Sequence, residues 1–418
     1  MVAVRIENRA QLIYLLTEAA ELEHNVLACY LFALFSLKAD ASEGLTQPQL
    51  ASVRSWRGTI SEIAVQEMLH LASACNLLTA VGGAPQLRRP NLPTSPKAYP
   101  AAFKLRLVPF NLEAVEQFVF LERPEGPNVD SGESRRQAPA PLPDIKLSDI
   151  FSNERDYETL GELYRGIEDG LKYLAQKHGE SGLFIGRPAA QTADAYFGLP
   201  GLSPVRDLSS ALAALRTIIE QGEGASIDAT DSHYRRFLKI REEYRQLLAE
   251  DAAFRPGRPV VVSPYALLPV DLAIGSEVGL LDHPLSVNVV NLFDGCYELM
   301  VQMLGRLFVH AEESEAELKT FADTTVGLMN EVIEPLGCAI TALPAGPSHP
   351  GLNAGPSFRL SRGATIPTQR ETALFIFRER LAELAAYCQF LQSDAGAPVV
   401  LARVRGALLR FAAALAKA

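Results

Sequence analysis

The feature that most constrains this chain is a pair of charged side chains on the apolar face of a long helix. Residues 48–81 carry apolar residues at helical spacing, starting near Pro48 and stopping at Gly82-Gly83. Within them, Glu67-Met-Leu-His70 falls on the same face as Ile60, Ile63, Ala64, Leu71 and Ala74. Positions i and i+3 lie one above the other on a helix, so the carboxylate and the imidazole meet inside the stripe. Isolated burial of such groups costs several kcal/mol. A divalent metal removes that cost, and Glu-x-x-His is the spacing used by carboxylate-bridged two-metal helical bundles.

The segment before it supplies a matching group. Residues 9–38 predict one long helix with Leu12, Leu15, Leu16, Ala19, Leu22, Val26, Leu27, Tyr30 and Leu34 at helical spacing. Glu23 lies one turn from Ala19 and from Val26 and Leu27, on that stripe. The link between the two helices is short, which predicts an antiparallel hairpin. One Glu from a first helix and Glu-x-x-His from a second make half of a two-metal site; the other half is expected from two later helices. A helix over 157–177 offers Glu162, offset from its Leu160/Leu163/Ile167 stripe. A helix over 207–222 ends in Ile218-Ile-Glu220-Gln-Gly-Glu223. Glu223 follows Ile219 by four and Leu215 by eight, on the apolar face; Glu220 is less well placed, and the choice between them stays open. No second Glu-x-x-His occurs there. The nearest histidine is His233, at the start of a helix over 230–250, and Gly222 and Gly224 permit the turn that would bring it back.

Residues 84–156 are rich in proline, with an expected strand at Phe103–Val108, a short helix near Leu112–Leu121 and a polar, turn-rich stretch at 125–140. A connection of that length reads as a crossover carrying a lid or specificity segment. Helices are expected again at 286–313, 315–342, 368–393 and 397–416, interrupted by a Gly/Pro/Ser-rich loop at 344–367. The resulting expectation is a mainly α protein: a four-helix bundle in 1–255 with the 84–156 insertion, and a C-terminal helical region, 256–418, that packs on the bundle or mediates homo-oligomer formation.

The formal net charge of −10 over 418 residues argues against nucleic acid as a partner, which needs a basic face. The five cysteines form no CxxC pair and no evident disulfide framework, which fits a reducing compartment. The N-terminus has no apolar signal core, and no apolar run approaches the ~18 residues of a membrane helix. The expectation is a cytoplasmic protein with no membrane partner, acting on a small molecule. No phosphate-binding glycine loop and no GxSxG elbow is present. Glu18 and Glu21 read as a solvated face, His24 as a satisfied histidine, and Tyr30 and Tyr164 as core. His178 and His283 read as loop or helix-end residues, and His310 as a helix C-terminal residue. A haem mechanism would need an axial ligand such as His310 or His349.

The stretches LTEAAELEHNVLACYLFALFSLK and IAVQEMLHLASACNLLTAVGGAPQL resemble the ferritin-like domain family related to the iminophenyl-pyruvate dimer synthase of violacein biosynthesis. The resemblance continues, in order, through YETLGELYRGIEDGL, IIEQGEGA, DSHYRRFLKI and LNAGPSF, and so covers most of the chain. It implies a ferritin-like four-helix bundle in secondary metabolism, with Glu23, Glu67, His70, Glu162, Glu223 and His233 holding two metal ions, iron the expected metal. With O2 as co-substrate, such a centre would oxidise a small amino-acid-derived molecule. Ferroxidase or metal-storage activity, or a metal-free accessory role, are the rival readings.

Overall fold

A computed structural model describes residues 4–85, 87–95, 98–99, 104–124, 157–222, 231–269, 277–309, 313–361, 366 and 369–417. The fold is mainly helical. Helix α1 (Arg9–Ser36) starts where the Asn8 side chain accepts from the Gln11 N–H. Helix α2 (Gln47–Ala80) starts at a reciprocal cap between Thr46 and Gln49. It stops before Gly82, whose φ of 87° suits glycine. The two helices pack along one another as the expected hairpin.

The other half of the bundle arrives in pieces. Helix α3 (Leu112–Leu121) is capped by Asn111, and α4 (Leu160–His178) by Thr159. Arg123, just past α3, donates to the Glu158 carbonyl just before α4, so these helices meet end to end. Two short turns, α5 (Glu180–Leu183) and α6 (Asp194–Phe197), lead to α7 (Leu208–Gln221), capped by Asp207. Helix α8 (His233–Glu250) is capped by Ser232. Helix α4 packs on α1 and α7, α2 on α7 and α8, and α3 on α8. The third and fourth bundle positions are therefore two composite helices, α3 with α4 and α7 with α8, both interrupted at the same level.

A C-terminal layer covers the other side of the α1/α2 pair. It comprises α9 (Pro284–Val309), α10 (Glu315–Leu328), a π-helical turn (Met329–Ile333), α11 (Glu334–Ile340) and the hairpin of α12 (Arg370–Leu391) and α13 (Val400–Leu415). Helix α9 packs on α2 and α11 on α1. The α11–α1 approach is close: a Cβ on Gly337 would lie 2.2 Å from the Phe35 ring. One continuous hydrophobic core joins both layers.

The expected strand is not formed. Residues 104–108 belong to no sheet; the Leu105 carbonyl accepts from Thr94 N–H and the Leu107 carbonyl from Ser263 N–H, each at 2.9 Å. Phe103 lies outside the described residues. Among those described, the only sheet is the two-residue parallel pair β1 (Pro264–Tyr265) and β2 (Gly279–Leu280). No described helix is long and apolar enough to cross a membrane.

Candidate metal centre

Where the composite helices break, five side chains converge. Glu23 from α1, Glu67 and His70 from α2, Glu122 at the end of α3 and His233 at the start of α8 are each at most 2 % exposed. They form two overlapping groups, Glu23/Glu67/His70 and Glu67/Glu122/His233, and within each group one ligand atom per residue lies within 4.8 Å of the others. Glu67 is common to both. Its Oε2 is 3.3 Å from His70 Nδ1, and its Oε1 is 3.0 Å from His233 Nδ1. His70 Nδ1 also lies 3.7 Å from Glu23 Oε2, and His233 Nδ1 lies 3.5 Å from Glu122 Oε1. The two imidazole planes are inclined by 28°, with centroids 5.5 Å apart.

Neighbours fix how each ligand is presented. His70 Nε2 donates to Gln221 Oε1 at 3.1 Å, and His233 Nε2 to Gln66 Oε1 at 2.9 Å. The Gln66 oxygen also accepts from Arg236, which identifies it as the acceptor end of that amide. Both rings thus turn Nδ1 inward. The Tyr164 hydroxyl donates to Glu23 Oε1, and the Tyr30 hydroxyl to Glu122 Oε1. That leaves Glu23 Oε2, both oxygens of Glu67, Glu122 Oε2, His70 Nδ1 and His233 Nδ1 buried with no hydrogen-bond partner. Six acceptors facing one another repel unless cations lie between them. Protons or metal ions meet that need, and the donor set, carboxylate and imidazole, fits a pair of divalent metals.

The proton affinities follow the same geometry. Burial opposes the charged form of His70, but the carboxylates of Glu23 and Glu67 outweigh it and raise its pKa to about 10. His233 is likewise opposed by burial and raised to about 9 by Glu122 and Glu67. Glu23 is pushed up to about 8 by burial; its bond to His70 pulls it down and the Glu67 charge pushes it up. Burial pushes Glu67 up too, yet the two imidazoles hold it below the usual carboxylate range.

Of the residues expected from sequence, Glu23, Glu67, His70 and His233 are brought together. Glu162 is not. Thr159 Oγ1 accepts from its backbone N–H at 3.1 Å, and its carboxylate accepts from Glu158 N–H at 2.6 Å. Glu162 therefore closes the first turn of α4 and does not join the cluster, in which the further carboxylate is Glu122. Sequence reasoning missed Glu122, although it follows Phe118 by four and Val115 by seven, both buried on α3. Glu220 is exposed, and Glu223 lies outside the described residues. Gly222 abuts the centre: a Cβ there would lie 2.9 Å from His233 Nδ1 and 3.4 Å from Glu122 Oε2.

The remaining histidines have other tasks. His24 Nδ1 donates to the Leu87 carbonyl at 2.8 Å, and its Nε2 meets the Tyr297 hydroxyl at 2.5 Å. His283 meets Ser286 at the start of α9, and His349 donates to the Leu280 carbonyl. His310 lies outside the described residues.

Comparison with known proteins finds relatives that match most of the chain. A 2-imino-3-(indol-3-yl)propanoate dimerase of Chromobacterium violaceum is 26 % identical over 374 residues, 84 % of this chain and 34 % of that protein. A dichlorochromopyrrolate synthase of Lentzea aerocolonigenes is 26 % identical over 419 residues, 92 % of this chain and 39 % of that protein. The chain thus spans between 34 % and 39 % of the length of these relatives. The crystal structure of a ferritin-like protein from Caulobacter vibrioides superposes with a TM-score of 0.45 at 19 % identity, covering 76 % of this chain and 95 % of that one. The family model described as Ferritin-like matches residues 16–242, more than half of the 418 and the span that carries Glu23, Glu67, His70, Glu122 and His233, and the chain belongs to that family.

Proposed function

We propose that the chain is a non-haem two-metal oxidoreductase, with iron as the metal, that uses O2 to oxidise a small amino-acid-derived substrate. The observation that carries the metal reading is the convergence of two buried groups, Glu23/Glu67/His70 and Glu67/Glu122/His233, on one shared carboxylate. Glu23, Glu67, His70, Glu122 and His233 would hold the two ions, with Glu67 the residue common to both groups of ligands. Mixed imidazole and carboxylate ligation suits iron or manganese better than calcium or magnesium. Three carboxylates leave two divalent cations one charge short of neutrality. Glu223, next in sequence to Gly222, is proposed as the fourth carboxylate.

Two reduced iron ions, when bound, would supply the electrons for reduction of O2. The protein's own part is positional. Tyr30 and Tyr164 each engage one oxygen of a terminal carboxylate and leave the other for metal, while Gln66 and Gln221 hold Nδ1 inward. Near-complete burial keeps bulk water from the ligands. The substrate class is supported by the two relatives, whose names denote a dimerase of an imino acid and a synthase of a dichlorochromopyrrolate. A place in secondary metabolism is inferred from the same two proteins. The five cysteines are all free, which supports a reducing, cytoplasmic setting.

The test is metal content per chain on protein purified without chelator, with the visible spectrum of the same sample. Two irons per chain without a Soret band supports the reading. Absence of transition metal after anaerobic reconstitution with ferrous iron refutes it, and a Soret band moves the chemistry to haem.

A further inference from the structure

The two halves of the centre are built from matching parts. Each has a carboxylate held by a tyrosine, Glu23 by Tyr164 and Glu122 by Tyr30, and a histidine whose outer nitrogen meets a glutamine amide. Glu67 belongs to both. Behind the glutamines the likeness ends. Gln66 lies in the middle of α2, and its Oε1 faces two groups, His233 Nε2 at 2.9 Å and Arg236 Nη1 at 3.2 Å. A guanidinium has donors only, so it dictates which end of the amide turns its way. Arg236 is itself held. It lies one turn beyond His233 on α8 and crosses to α2, where Nη2 donates to the Thr59 carbonyl at 3.4 Å and to the Glu62 carboxylate. Glu62 also offsets the charge of the guanidinium. With Gln66 Oε1 fixed toward it, His233 Nε2 carries the proton and Nδ1 keeps its lone pair.

Gln221 has no such anchor. It is the last residue of α7, next to Gly222. Its Oε1 meets His70 Nε2 at 3.1 Å, and among the described residues nothing else bonds to that amide. A half-turn of the side chain exchanges the oxygen and nitrogen of an amide. Turned round, Gln221 would donate to His70 Nε2, and the ring proton would sit on Nδ1. There it would point at Glu67 Oε2, 3.3 Å away, and Glu23 Oε2, 3.7 Å away. That arrangement satisfies the carboxylates but removes the lone pair that a metal needs. It is open to His70 and closed to His233.

We propose that Arg236 is a positioning residue that makes the two halves unequal. By orienting Gln66 it keeps His233 in the metal-binding tautomer, so the half with Glu122 and His233 takes up a divalent ion before the half with Glu23 and His70. This rests on the two-metal reading above. The test is anaerobic titration of metal-free protein with Co2+, followed by calorimetry and visible absorbance. Two ions per chain are expected in two phases, the first about 10–100-fold tighter than the second. Glu122→Ala abolishes the first phase, and Glu23→Ala the second. Arg236→Met weakens the first phase until the two merge, and Arg236→Lys restores part of the difference. Gln66→Glu separates orientation from structural support, because a carboxylate presents an oxygen at either end. In that background Arg236→Met should leave the first phase unchanged. An equal loss in both backgrounds overturns the proposal, as do two ions of equal affinity in the wild-type protein. If Arg236→Met fails to fold, the wild-type isotherm decides the matter with Gln221→Glu, which should tighten the second phase alone. Absence of any Co2+ binding refutes the two-metal reading, and this proposal with it; two ions bound without the expected order refute this proposal only.

Discussion

Glu67 presents one oxygen to each histidine, so its loss should empty both halves of the centre. Glu67→Ala is expected to lose both metals while retaining its helical circular dichroism, whereas Glu122→Ala loses at least the ion held with His233. Glu162→Ala is expected to keep full metal content, because that carboxylate caps α4. Metal analysis of the three variants side by side checks the assignment, and Glu223→Ala tests the proposed fourth carboxylate. Tyr30→Phe and Tyr164→Phe remove a hydrogen bond behind a ligand and should weaken metal binding about 10–100-fold. Four of the five clustered residues were legible from sequence. Glu23, Glu67 and His70 stood on apolar stripes, and the family resemblance added His233. Glu122 obeys the same stripe logic, but it ends a short helix inside a proline-rich connection read only as a lid. Glu162 carried a contrary signal, since Thr159-Leu-Gly-Glu162 has the spacing of a helix N-terminal capping box.

Protonation gives a further expectation at the same scale. The folded-state affinities of His70, His233 and Glu23 are raised to about 10, 9 and 8. A group bound more tightly to its proton in the folded state stabilises most below its unfolded pKa and loses that effect as pH rises through the folded one. The two histidines start from 6.5, so metal-free protein should lose thermal stability between about pH 6.5 and 10. Metal-loaded protein should show a flatter profile there, because the ions replace the protons. Metal uptake should in turn release protons and weaken on acidification, measurable by titration in two buffers.

At the scale of elements, α1, α2 and the C-terminal helices were readable because each is long and periodic, and periodicity is the strongest signal a single sequence carries. The composite helices were not readable, since whether two short helices lie end to end is decided by tertiary contacts such as Arg123 to the Glu158 carbonyl. The strand expected at 103–108 failed for a related reason. Its alternation reflects burial of Leu105 and Leu107, while its backbone partners are single residues of two separate loops. Gly337 marks the tight seam between α11 and α1. Gly337→Ala should overpack Phe35 and cost about 1–3 kcal/mol in denaturant unfolding without changing metal stoichiometry. Gly222→Ala should do the reverse, lowering metal content with little change in metal-free stability, because its added methyl would sit among the ligands.

For the whole molecule, the continuous core predicts that the segments 1–255 and 256–418 unfold together. Calorimetry should show one transition, moved upward by metal, because binding only to the folded state adds about 3–4 kcal/mol at a hundred to a thousand times the dissociation constant. Two transitions, of which metal moves only one, would show the layers to be independent.

The twin interruption of the bundle also bears on how such a protein changes over generations. An unbroken helix tolerates no extra residues without losing register, whereas a bundle already cut at the level of its reactive centre has two places where chain length is free. Residues 125–156 and 223–230 lie between the pieces. Insertions at such breaks leave the helices on either side in register, so the four-helix frame can take up a change of length there without being repacked.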